Sequence, residues 1–296
     1  MRKRFRPDFS SLVTTRSPYA QALIALATRH GKEQALALPL RWGLGAELKL
    51  ADVETDQLGT FSGEIQRIDD ALVTCRAKAQ MGMVATGLSL GVASEASFGP
   101  HPTVPMLAVG QELLLFLDQD RDLCVVEQQL DWCTNFSHTL LEPDGQLDSW
   151  LVQVHFPSHA VIARPSTPQS GLLFKGLHTA AALEQAIALC RAADPKGCVW
   201  LETDMRAHCN PTRMRSIRRL GVSLVRRLRT PCPECGSPGW GLVDTLPGLP
   251  CRDCGTATAL THHEIWGCPQ CHARRELPRR DGRRDADPGQ CPWCNP

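Results

Sequence analysis

Residues 20–53 read AQALIALATRHGKEQALALPLRWGLGAELKLADV, and this stretch decides the fold class. The opening apolar run, AQALIALAT, ends at Arg29-His30-Gly31-Lys32. Periodicity alone does not separate a buried strand from a helix at that length. The following residues 33–44 carry a helical pattern that stops at Gly43 and Gly45, and residues 46–53 (AELKLADV) alternate like a strand. Strand, short polar turn, helix and strand in succession open an α/β domain.

Outward from there, residues 68–83 read as a helix and residues 87–93 (GLSLGVA) as a strand. Residues 111–117 and 123–127 form a hairpin across Asp118-Gln119-Asp120, and residues 150–162 read as extended. The composition turns Pro/Ser-rich near 164–171, which predicts a loop or hinge. A helix of alanine and leucine covers 180–192, and a strand covers 197–202. Asn210-Pro211 then supplies an N-cap with proline at the first helical position. The helix it opens carries Met214, Ile217, Leu220, Leu224, Val225 and Leu228 on one face and stops at Pro231. The expected organisation is a polar leader (1–18), a mixed-sheet α/β domain (19–228) and a small zinc-ribbon module (229–296).

That module rests on four Cys-x-x-Cys pairs: Cys232/Cys235, Cys251/Cys254, Cys268/Cys271 and Cys291/Cys294. Pairs at this spacing are knuckles of tetrahedral four-cysteine zinc sites, so the tail predicts two structural Zn2+. CPECG and CRDCG place glycine after the second ligand, where a tight turn points backbone N–H groups at the thiolates. Sequential pairing (first with second, third with fourth) is the preferred arrangement, and interleaved pairing is the alternative. Four protein ligands leave no open coordination position, so the metals are a scaffold and not a catalyst. The run from Arg274 to Arg284 is basic and suits a polyanion or a solvated loop.

The chain has 296 residues, 43% apolar and 21% charged, with a net charge of +1. Such a balance sets no global bias towards nucleic acid or membranes. With one tyrosine and 5% aromatics, composition advertises no base-stacking platform. Six further cysteines are scattered singly, which fits reduced, buried thiols. Arg2, Lys3, Arg4 and Arg6 precede no signal-peptide core, and no run reaches membrane-spanning length, so a cytoplasmic protein without a membrane partner is expected.

Four polar segments carry the candidate chemistry. Thr28-Arg29-His30-Gly31-Lys32 lies at a strand-to-helix turn, where orphan N–H groups and a lysine favour an anion. The segment 54–64 (ETDQLGTFSGE) follows a strand and holds Asp56, Thr60 and Glu64. The segment 93–102 (ASEASFGPHP) is expected to follow another and holds Glu95 and His101. Each alone is read most simply as a tight turn; their common position at strand ends favours one site. The fourth, 202–214 (ETDMRAHCNPTRM), holds Arg206, His208 and Arg213, and eight arginines without an acid run from Arg206 to Arg229. Of these, Arg226, Arg227 and Arg229 are expected to face water, whereas Arg206 and Arg213 suit phosphates.

The strings ATRHGKE, TDQLGTFSGEIQR, ASEASFGPHP and ETDMRAHCNPTRM, with the cysteine tail, resemble an uncharacterised bacterial family carried as a domain of unknown function. More remotely, the order of elements is similar to the inosine triphosphate pyrophosphatase family, which cleaves non-canonical nucleoside triphosphates with magnesium. Thr28, His30 and Lys32 match its first turn, Gly59-Thr60-Phe61 its Gly/Thr loop, Lys78-Ala79 its helix end and Ser94 to Ser97 its acidic turn. His30 stands in place of an asparagine, the lysine falls one residue early, and the paired acids shrink to Glu95.

The resemblance implies Mg2+-assisted hydrolysis or binding of a nucleotide or other phosphate-bearing ligand. Lys32, Lys78, Arg206 and Arg213 would hold phosphates, Glu95 and Glu64 with Asp56 or Asp204 the magnesium, and His101 or His208 a proton. The alternative is a non-enzymatic nucleic-acid or protein-assembly module that uses the arginine helix and the zinc ribbons.

Overall fold

A computed structural model describes residues 17–55, 57, 70–101, 104–167 and 171–296. The first sheet contains β1 (Leu23–Ala27), β2 (Glu47–Ala51), β3 (Leu90–Pro100), β4 (Ala108–Asp118) and β5 (Leu123–Asp131), in the order β2-β1-β3-β4-β5. The first three strands are parallel and the last two antiparallel, a mixed sheet as expected. Helix α1 (Glu33–Leu44) connects β1 to β2 and ends on Gly45 in the left-handed region at φ 71°. Helix α2 (Ala71–Thr86) precedes β3 and is capped by Asp70, whose Oδ1 accepts from the Leu72 and Val73 N–H groups.

The sheet is buried on both faces. Ile24, Leu26, Val92, Leu114 and Phe116 pack with α1 and the long helix α5 (Pro211–Arg229). Ala25, Ala93, Leu113 and Leu115 pack against α2. Alternation along β3 and β4 separates these two sets, because successive side chains point to opposite faces.

A second sheet has the order β6-β9-β7-β8, from β6 (His138–Leu141), β7 (Val161–Pro165), β8 (Phe174–Leu177) and β9 (Val199–Thr203). It packs on the short α3 (Asp148–Gln153) and on α4 (Ala180–Ala193) through Leu141, Trp150, Val161, Leu183 and Leu201. The Pro/Ser-rich segment lies between β7 and β8, which pair antiparallel. The third sheet is β10 (Gly241–Pro247), β11 (Thr261–Gly267) and β12 (Arg274–Pro278), in that order.

Two expectations fail here. Residues 150–162 are not extended throughout: Trp150 sits in α3, where its indole is buried and donates to Ser137 Oγ at 2.9 Å, and strand begins only at Val161. The segment 93–102 does not follow a strand but largely continues one. β3 runs to Pro100 because β4 pairs with it over eleven positions, from Leu90 opposite Asp118 to Pro100 opposite Ala108. Small polar residues such as Ser94 and Ser97 lack strong strand propensity, and the long partner strand overrides it. No described helix is long and apolar enough to cross a membrane.

Candidate functional site

β1 stops at Ala27 while its neighbour β3 continues for several residues, so the end of β1 leaves β3 an open edge. Lys32, the residue before α1, fills that edge: its Nζ donates to the Ser94 carbonyl at 2.6 Å and is buried. On the α2 face, Lys78 reaches Glu95 in a close ion pair. On the α5 face, Arg213 Nε donates to Glu112 Oε1 at 2.5 Å, with both side chains buried, and its Nη1 donates to the Met205 carbonyl. The Arg213 guanidinium also lies 5.4 Å from the Phe98 ring centroid.

These groups form one electrostatic unit. Burial lowers the Lys32 ammonium to about 8 from its ordinary 10.5; Glu95 and Glu112 oppose that shift, and Arg213 and Lys78 add to it. Burial pushes the Glu112 carboxyl up, and the adjoining Arg213 pulls it back. Among the described residues, Ser94 Oγ and the second oxygen of Glu112, both buried on the α5 face, have no hydrogen-bond partner. Buried polar atoms without a partner are uncommon in folded proteins.

His30, Arg206 and His208 adjoin the unit. Burial and the neighbouring Lys32 lower His30 to about 3, so its imidazole is neutral, with its centroid 5.3 Å from that of His208. Burial also lowers His208. Arg206 grips the buried Asp204 in a fork, with Nε to Oδ1 at 3.0 Å and Nη2 to Oδ2 at 2.6 Å. Thr28 Oγ1 accepts from the His30 backbone N–H at 3.2 Å and so shapes the turn.

His101 does not join them. It lies six residues beyond Glu95 along β3, about 20 Å by strand rise, with its ring 4.7 Å from Trp132 and its Nδ1 accepting from the Val104 N–H. Asp56, Thr60 and Glu64 lie outside the described residues. The residue that sequence reading missed is Glu112. The available signal was a single acid inside the apolar stretch GQELLLFL, a place where an unpaired carboxylate is costly.

The arginines of α5 also differ from expectation. Arg227 does not face water: it donates to the carbonyls of Gly239 and Val126 and pairs with Glu127 at 3.1 Å, joining β5 to the cysteine module. Arg229 donates to the Gly43 carbonyl at 3.0 Å. Arg226 is exposed as expected.

The cysteines form two groups of four, each with its sulfurs within 4.8 Å of one another, and each could hold a metal ion. The pairing is interleaved, which corrects the sequential preference. Cys232 and Cys235 join Cys268 and Cys271; Cys251 and Cys254 join Cys291 and Cys294. Strand geometry is the reason. β10 and β11 are antiparallel with Gly241 opposite Gly267, so the first and third knuckles meet at one end of the hairpin. The second knuckle follows β10 and lies about 20 Å away at the other end, where β12 returns the fourth. Thiolates about 2.3 Å from a tetrahedral zinc stand about 3.8 Å apart. The closest cross-knuckle sulfur distances are 3.7, 3.7, 3.8 and 3.6 Å, so the donor set fits zinc. Gly236 and Gly255 take φ of 74° and 72°, the turn expected after the second ligand.

A separate cleft of about 410 Å³ lies on the third sheet between Thr245, Thr261, Glu264 and Arg279–Asp281. Its charges are already matched, Arg279 with Asp281 and Arg280 with Glu264, which leaves the buried unit as the stronger candidate.

The model of a family described as a domain of unknown function (DUF6671) matches residues 78–296. No curated protein and no solved structure matches the chain.

Proposed function

For a chain that belongs to the DUF6671 family, we propose that the α/β body binds a nucleotide or other phosphate-bearing ligand at the unit of Lys32, Lys78, Glu95, Glu112 and Arg213. The observation that carries this reading is Lys32. Its ammonium is buried, yet among the described residues its hydrogen bond goes to a carbonyl and not to a carboxylate. Three cations share the unit with two carboxylates, and a buried excess charge is costly until an anion joins it. A phosphate at Lys32 supplies that anion.

The chemistry follows from the groups present. Lysine and arginine neutralise charge that develops on phosphoryl oxygens. Magnesium would polarise the phosphoryl group, but the described carboxylates do not make up its shell. Glu95 is tied to Lys78, Glu112 to Arg213, and among the described residues only the cysteines gather three ligand atoms. No step is therefore assigned to a metal. The cysteine module, loaded with two structural zinc ions, braces the body through Arg227.

Calorimetric titration of a nucleoside triphosphate and of inorganic tripolyphosphate tests the reading. Wild-type protein binds at least one of them, and Lys32→Met weakens that binding tenfold or more. Binding that is absent from the wild type, or unchanged in the variant, removes the phosphate site.

A further inference from the structure

Helices α1 and α5 lie side by side, and their joint outer face has an unusual charge pattern. Gly43 lets Val225 approach so closely that an added Cβ would meet Val225 Cγ1 at 2.2 Å, and one at Gly221 would meet Leu36 Cδ2 at 3.0 Å. Arg218 Nη2 donates to the Gln34 carbonyl and Arg229 Nη1 to that of Gly43, so the helices are tied along their length. On the solvent side α5 exposes Arg215, Arg218, Arg219 and Arg226. Among the described residues Arg215 and Arg218 bond only neutral oxygens, and the ion pairs of α5 are those of Arg213 and Arg227. Beside them α1 exposes Leu38 (53%) and Trp42 (83%).

The basic run of the cysteine module makes a useful contrast. Arg275 pairs with Glu234, Arg279 with Asp281 and Arg280 with Glu264. Those arginines are neutralised within the module, whereas the four on α5 are not. A cationic stripe along a helix is the electrostatic footprint of a polyanion site. An indole exposed to this degree beside arginines suits an interface, where it supplies apolar area and a π-face. One tryptophan and one leucine are too little apolar surface for an interfacial membrane helix, which buries a whole face.

We propose that the outer face of α1 and α5 binds single-stranded nucleic acid. Arg215, Arg218, Arg219 and Arg226, spread over about 16 Å of helix, hold successive phosphates, and Trp42 stacks on one unpaired base. Paired bases in a duplex do not offer that face. This surface is separate from the phosphate unit and does not depend on its chemistry.

The test is fluorescence anisotropy of the full zinc-loaded chain with a labelled oligothymidylate of roughly twelve nucleotides, within the usual range of single-strand sites. Log affinity falls with log salt at a slope of about −3 if four phosphates are engaged, at roughly −0.7 each, and Arg219→Gln lowers the slope by about 0.7. Trp42→Ala weakens binding roughly five- to 150-fold without changing the slope. Both side chains are exposed, so the variants keep the fold, as circular dichroism checks. Arg280→Gln leaves binding unchanged; a loss there moves the site to the cysteine module and overturns the proposal. It is equally overturned by absent binding, by a duplex that binds as tightly as the single strand, or by phosphatidylserine vesicles that capture a protein the oligonucleotide does not.

Discussion

Replacing Lys32 by methionine should make the protein more stable while weakening the binding proposed for it. The magnitude follows from the lysine's position. Its proton is lost at about 8 in the folded chain against 10.5 ordinarily. That difference corresponds to about 3 kcal/mol of destabilisation by the charged form at neutral pH. Methionine has a similar length and no charge, and it forfeits only the hydrogen bond to the Ser94 carbonyl, about 1 kcal/mol. The net gain is about 2 kcal/mol, or roughly 3 °C in melting temperature for a chain of this size. The sign with pH is also determined. Below pH 8 lysine is protonated in both states and the variant's full advantage is present. Between 8 and 10.5 the unfolded chain retains a proton that the folded one has lost, so the wild type gains stability and the difference closes. The assay is paired thermal unfolding of the two proteins at pH 7 and pH 10, in which the titration of other groups cancels. A Lys32→Met protein less stable than wild type at pH 7 would refute the account of Lys32 as a costly buried cation kept for an anion.

Interleaved pairing predicts that the double variant Cys235→Ser/Cys268→Ser loses one zinc and keeps the other, while Cys235→Ser/Cys254→Ser loses both; native mass spectrometry counts the ions, and loss of both from the first variant contradicts the pairing. Truncating Arg213 to alanine strands Glu112 and should cost roughly 3–5 kcal/mol in urea unfolding, much of it recovered when Glu112→Leu is added. Gly43→Ala drives a methyl group into Val225 and should cost roughly 1–3 kcal/mol, measured by the same transition. Arg227→Ala removes contacts to Val126, Glu127 and Gly239; domain-resolved hydrogen exchange should then show faster opening at the junction of β5 and the cysteine module, and unaltered exchange there would exclude its bracing role.

Much of the architecture was legible in local chemistry. The glycine that ends α1, the Asn210-Pro211 start of α5 and the knuckle glycines each satisfy a backbone requirement within a few residues. The hairpin of β4 and β5 was readable for the same reason. Lys32, Glu95 and Arg213 were singled out by residue type at expected strand ends and helix starts, and Lys78 by the resemblance alone. Glu112 was hidden because its strand is otherwise apolar, and its partner Arg213 lies about a hundred positions along the chain. His101 was placed in the same group because β3 was expected to end early; its actual length carries His101 away. Arg227 illustrates the opposite error: a terminal helical arginine is normally solvated, and only the packing of β5 and of Gly239 beside it supplies carbonyls to bind.

What the chain determined by itself is therefore what short-range rules govern: the α/β order of elements, eight cysteines in four knuckles, and an arginine helix with one apolar face. Tertiary structure alone decided which knuckles share a metal, because antiparallel strands carry consecutive knuckles to opposite ends of a hairpin. It also decided that Lys32 sits in an ionic unit and not in an ordinary turn, because β1 stops short and leaves the edge of β3 open to it. Both outcomes depend on the lengths and partners of strands, and local sequence specifies those only weakly.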